Sequence, residues 1–142
     1  MKNGNVGRSL AIAASAVVIA TLVAAMLLLG SPQSQRESRL DRKREQDMES
    51  IALAINTRAR EGKPLPASLE VLSSEPGLRL AVSDPQTRAP YVYAITGSDR
   101  YRLCAVFATD TGDASRRGWV DQDWLHGAGR HCFERRVDPR KT

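Results

Sequence analysis

The sequence is short of the residues from which active sites are made. It has two histidines and two cysteines, and aromatic residues make up 5% of it. There is no G-x-S-x-G, no H-E-x-x-H and no P-loop, and nothing pairs a serine with a histidine. Acyl transfer by an activated serine, zinc-peptidase chemistry and P-loop nucleotide hydrolysis therefore lack their residues, and no enzymatic activity is expected. A structural zinc site needs three or four converging ligands, usually with a close pair such as C-x-x-C. Here His131 and Cys132 are adjacent, so in a strand they point to opposite faces, and His126 stands apart. No cofactor is expected. The formal net charge of +5 is modest, and aromatics are not interleaved with the basic residues. That pattern does not favour a nucleic-acid surface, for which Arg135 and Arg136 are the residues to replace.

Charge is also missing from one long stretch. Leu10 to Leu29 is a run of 20 residues without a charged side chain, broken in apolar character only by Ser15 and Thr21. As a helix it is about 30 Å long, the thickness of a bilayer's hydrocarbon core. It is longer than the apolar region of a secretory signal, and Met26-Leu27-Leu28-Leu29-Gly30-Ser31 is a poor cleavage site. Every face is apolar, so a membrane anchor is expected rather than a buried core helix.

Two signals bear on sidedness and they disagree. Lys2 and Arg8 precede the span, while Arg36, Arg39, Arg42, Lys43 and Arg44 follow it. The positive-inside rule would keep the larger part in the cytoplasm, but that rule is weak for long translocated domains. Cys104 and Cys132 both lie in strand-like stretches, and a disulfide between them implies an oxidising compartment. We expect the domain outside the cytoplasm, with Cys104 and Cys132 bonded.

The rest of the chain reads as one small α+β domain. Residues 36–47 are almost wholly charged and suit a solvated stalk. Met48, Ile51, Ala52, Ile55 and Ala59 then form an apolar stripe on the same helix, which Gly62 and Pro64 end. Leu65, Leu69 and Leu72 suit one face of a short second helix. Leu78 to Val82 suits a short edge strand. After the turn Asp84 to Pro90, Tyr91 to Ile95 and Tyr101 to Phe107 alternate as a hairpin around Gly97. Tyr91, Tyr93 and Tyr101 are expected to pack across it. Arg130 to Arg135 reads as a third strand, which puts Cys104 and Cys132 on neighbouring strands.

Leu65-Pro66 with Leu69 and Leu72, then Asp84-Pro85-Gln86-Thr87 leading into Pro90-Tyr91-Val92-Tyr93, resembles the type IV pilin-like proteins. The likeness is greatest to the pseudopilins of bacterial type II secretion. The segments Leu103-Cys104-Ala105-Val106-Phe107 and Trp124 to Phe133 look like a group of uncharacterised single-span bacterial membrane proteins. The resemblance covers roughly residues 41–133. It implies a long N-terminal helix packed on a small antiparallel sheet, and a structural or protein-interaction role at the bacterial inner membrane with a periplasmic domain. The start of the chain departs from the pilin pattern: Gly4 and Gly7 are followed by Asn5 and Arg8, and the span holds no acid. Some pseudopilins hold calcium in a loop before the last strands. That makes Asp110, Asp113, Asp121 and Asp123 the candidate calcium ligands, against the reading of a solvated acidic and basic loop.

The expected organisation is a basic flank (residues 1–9), a transmembrane helix (10–29), a charged stalk (30–47), a pilin-like globular domain (48–136) and a tail (137–142). Expected partners are the membrane and other envelope proteins.

Overall fold

A computed structural model describes residues 3–29, 31–112 and 122–137. The chain divides into two compact units, residues 1–36 and 37–142. The first is helical. Helix α1 (Asn3–Leu29) has 27 residues. Leu10, Ile12, Val17, Leu22 and Leu27 are all exposed. It is long and apolar enough to cross a membrane. The Thr21 hydroxyl donates to the Val18 carbonyl at 2.8 Å, so this polar group is satisfied within the helix, as hydrocarbon requires.

Helix α2 (Pro32–Arg60) starts earlier than the charged stretch at Arg36. Its first residues explain why. Ser31 accepts the Ser34 N–H on its hydroxyl at 3.2 Å, and Pro32 occupies the first helical position. A serine cap followed by proline is a helix start, because proline lacks only a donor that would go unpaired there. At the other end Gly62 takes a left-handed φ of 75°, and the Lys63 N–H closes on the Arg58 carbonyl at 3.1 Å. Pro64 then cannot continue the helix.

In the second unit, helix α3 (Leu69–Ser73) is capped by Ser68, whose hydroxyl accepts the Val71 N–H at 3.3 Å. Three strands follow among the described residues: β1 (Val92–Ile95), β2 (Arg100–Phe107) and β3 (Gly129–Arg136), with a 3-10 turn at Gln122–Trp124 between the last two. The sheet is antiparallel with order β1-β2-β3. Alternation puts Tyr101, Leu103, Ala105 and Phe107 on one face, opposite Arg135, Phe133, His131 and Gly129 of β3. That face closes over Met48, Ile51 and Ile55 of α2 and Leu69 and Leu72 of α3 in one core. The architecture is α+β: a long N-terminal helical stretch and a small antiparallel sheet, on which the later part of α2 packs.

Four local expectations change. Leu78 to Val82 forms no strand; beside it there is one isolated bridge, Ser83 to Pro90, and the Tyr91 N–H donates to the Val82 carbonyl at 3.0 Å. Pro90 brings no donor, which limits that pairing. Tyr91 lies before β1 and is buried, with its hydroxyl on Asp47, so only Tyr93 and Tyr101 meet across the hairpin, at 5.9 Å. Val137, placed in the tail, is buried, and its N–H donates to the Asp99 carbonyl at 2.8 Å. The stalk is not uniformly solvated: Arg39, Arg42 and Lys43 are exposed, but Asp41, Arg44 and Asp47 are buried.

Candidate functional site

The buried charges of α2 come from the same face as its apolar stripe. Steps of three and four from Met48 back along the helix reach Arg44 and Asp41, which therefore point inward. Arg44 bridges two carboxylates. Its Nη1 donates to Asp41 Oδ1 at 2.6 Å, and its Nε and Nη2 donate to Asp84 at 2.5 and 3.3 Å. Nη2 also reaches Gln86 Oε1 at 3.1 Å. Asp41 further accepts the N–H groups of Ala108 and Thr109 and the Thr109 hydroxyl, the last two at 2.7 Å. Asp84 accepts the N–H groups of Gln86 and Thr87, both at 2.8 Å.

This clasp joins α2 to the end of β2 and to the loop before β1. Burial by itself would raise the Asp84 carboxyl, but Arg44 and the two backbone donors outweigh it and hold the group at about 2. Asp41 is likewise lowered against its burial, by Thr109, Ala108 and Arg44. The guanidinium of Arg44 is raised, chiefly by its bond to Asp84. All three ions are charged at neutral pH and their hydrogen-bonding groups are taken up by protein. Such a cluster orders structure and offers no free acid, base or nucleophile.

Two further links run from α2. Asp47 accepts the Tyr91 hydroxyl at 3.0 Å and pairs with Lys43 at 2.9 Å. Burial, with the Asp47 charge beside it, raises the phenol of Tyr91. His126 lies flat on Phe107, ring centres 3.6 Å apart, with Nε2 3.0 Å from Glu45 Oε1 and Nδ1 3.3 Å from the Gly127 carbonyl.

The outer face of the sheet is exposed and arginine-rich. Arg102 pairs with Glu134 directly opposite at 2.5 Å. Arg100 and Arg136 face each other, an unfavourable pairing that Asp99 relieves by lying 3.6 Å from one and 2.5 Å from the other. Farther along, Val106 faces Arg130, and Arg130 makes no ion pair with a described residue. Beside Val106 opens a cleft of about 450 Å³, lined by Pro90, Val92, Cys104 to Ala108 and Arg130 and by the clasp residues Arg44 and Asp84.

The residues singled out from sequence are scattered. Cys104 and Cys132 stand directly opposite on β2 and β3 and form a disulfide, so Cys132 is no metal ligand. Of the candidate calcium ligands, Asp113 and Asp121 lie outside the described residues. Asp110 accepts the Gly112 N–H at 2.6 Å. Asp123 is exposed, and its carboxylate sits 3.4 Å from Arg135. Among the described residues no three of His, Cys, Asp and Glu converge as metal ligands would. Arg135 stacks on Trp124 at 4.1 Å and donates to the Asp123 carbonyl, and Arg136 is held by Asp99. Both arginines are thus tied to partners within the chain.

Sequence reasoning missed the clasp. Asp41 and Arg44 look like members of a solvated charge run, and only their alignment with Met48, Ile51 and Ile55 marks them as inward. Asp84 is 40 residues from Arg44 in sequence and carries no signal of its partner beyond its place in a turn. Comparison of the chain with protein-family models, curated proteins and solved structures finds no match.

Proposed function

We propose that the protein is a non-enzymatic, single-pass envelope protein that displays a small extracytoplasmic domain for a structural or protein-interaction role. The observation that carries this reading is an uncovered apolar helix in the same chain as a domain closed by a disulfide. The first favours lipid as the helix's surroundings, and the second favours an oxidising compartment for the domain. The satisfied clasp supports a non-catalytic role, since its buried ions serve to hold α2 against the sheet. The resemblance to type IV pilin-like proteins supplies the class of role: contact with other envelope proteins through the folded part.

Two measurements on intact cells test this. After acid quenching and maleimide alkylation, a gel shift only upon prior reduction, lost in Cys104→Ser or Cys132→Ser, is expected. Retention in the membrane pellet after alkaline carbonate extraction is expected as well. Free thiols in unreduced cells would place the domain in the cytoplasm, and release by carbonate would remove the anchor.

A further inference from the structure

The sheet is incomplete at one place. Strand β1 starts at Val92, opposite Cys104; the position opposite Val106 in register falls on Pro90, which has no N–H to donate and bridges to Ser83 instead. Strand β2 runs on through Ala105, Val106 and Phe107, which pair with β3 only. The direction of the free groups follows from the register. The Cα atoms of Cys104 and Cys132 are 4.0 Å apart, the close spacing of a non-hydrogen-bonded antiparallel pair. Residues of β2 two positions apart share that state, so Val106, like Cys104, directs its N–H and C=O away from β3. Those of Cys104 meet Val92. Those of Val106 open into the 450 Å³ cleft. The next two backbone donors, of Ala108 and Thr109, are already taken by Asp41, so the open edge is confined to Val106. The Val106 side chain is 61% exposed, Val92 beside it is 46% exposed, and Arg130 stands across from Val106 with no ion partner among the described residues.

We propose that this edge receives a short extended segment of a partner protein bearing an aspartate or glutamate side chain. The segment adds beside β2 and exchanges hydrogen bonds with the Val106 backbone. Its apolar side chains rest on Val92 and Val106, and its carboxylate meets Arg130. Strand addition of this kind takes affinity from the main chain and selectivity from side chains. Arg130, which lines the cleft and has no ion partner among the described residues, supplies the selectivity for an acid. The inference rests on the protein-interaction role proposed above and names the surface and the chemistry of the partner.

The test uses the full chain in lipid nanodiscs and fluorescein-labelled synthetic peptides of alternating valine and threonine. One peptide carries a central glutamate, one a central lysine, and a third is the glutamate peptide with alternate backbone amides N-methylated. Expected are binding of the glutamate peptide, at least about tenfold weaker binding of the lysine peptide, and loss of binding on N-methylation. Exposed Arg130→Glu should reverse the order of the first two. The Val106 amide should exchange rapidly in the free protein and slow when the glutamate peptide is added. Equal binding of the charged peptides, binding that survives N-methylation, unchanged Val106 exchange at saturation, or no binding at all would overturn the proposal. None of those results touches the redox and extraction tests, so failure of this inference and failure of the envelope reading are separable.

Discussion

Replacing Asp84 with asparagine should remove a contribution to stability that acid also removes from the unaltered protein. The side chain is 9% exposed and is held by Arg44 and two backbone N–H groups. Its folded pKa of about 2 lies below the ordinary 3.8. A carboxylate lowered in this way stabilises the fold fully above about pH 4. The contribution drains away as pH falls from about 4 towards 2. At about 1.4 kcal/mol per unit, the difference amounts to about 2–3 kcal/mol at neutral pH. For a domain of this size that corresponds to a melting temperature lower by roughly 10–20 °C. Near-ultraviolet circular dichroism is a suitable probe, since residues 1–36 contain no aromatic side chain and the signal reports the second unit alone. Asp84→Asn should melt lower at pH 7, and the gap should close as the buffer approaches pH 2. A gap under about 1 kcal/mol at pH 7, or one as large at pH 2 as at pH 7, would refute the assignment of Asp84 as a clasped ion.

Arg44→Met should be worse, about 3–5 kcal/mol by thermal melting, because Asp41 and Asp84 stay buried without their cation. Reducing the Cys104–Cys132 bond opens a sequence separation of 28 residues and should cost about 3–4 kcal/mol on the chain-entropy model, read as the shift in urea midpoint with and without reductant. Ile51→Ala, in the core, should cost about 2–5 kcal/mol, while Leu53→Ala, exposed two residues away, should stay within about 0.5 kcal/mol. Leu22→Arg, near the middle of the apolar run, should shift part of the protein out of the carbonate-resistant membrane fraction, since an arginine there costs about 3 kcal/mol on insertion scales.

The clasp gives the α2–sheet contact a geometry that apolar packing alone would leave looser. The core of Met48, Ile51, Ile55, Leu103 and Phe107 is small, and methionine and isoleucine can repack at modest cost. The clasp tolerates no such sliding, because Arg44 must reach Asp84 in the loop before β1 while Asp41, on the same helix, must reach the N–H groups of Ala108 and Thr109. A one-turn slip of α2 would strand Asp41 and Arg44 in apolar surroundings. Retaining charge in the interior therefore serves positional specificity here, and Arg44→Met, if it folds, should broaden the amide spectrum of α2.

What the sequence determined by itself was everything that depends on neighbours along the chain. Periodicity three and four placed the apolar stripe of α2. Alternation marked β2 and β3, and an uncharged run of 20 residues marked the helix able to cross a membrane. Gly62 with Pro64 set the end of α2, because left-handed backbone and the loss of a donor are local facts. Ser31-Pro32 equally marks where α2 begins, since a serine cap followed by proline is a local signal. The tertiary structure alone decided which charges are interior. Asp41, Arg42, Lys43 and Arg44 are indistinguishable in a charge pattern, yet two are buried and two exposed. Desolvating an ion is tolerable only where a partner waits, and the partners here, Asp84 and the N–H groups of Ala108 and Thr109, arrive from segments some 40 and 67 residues away. The open edge at Val106 draws on both: Pro90 brings no donor, a local fact, but only the register of β1 on β2 sets Pro90 opposite Val106.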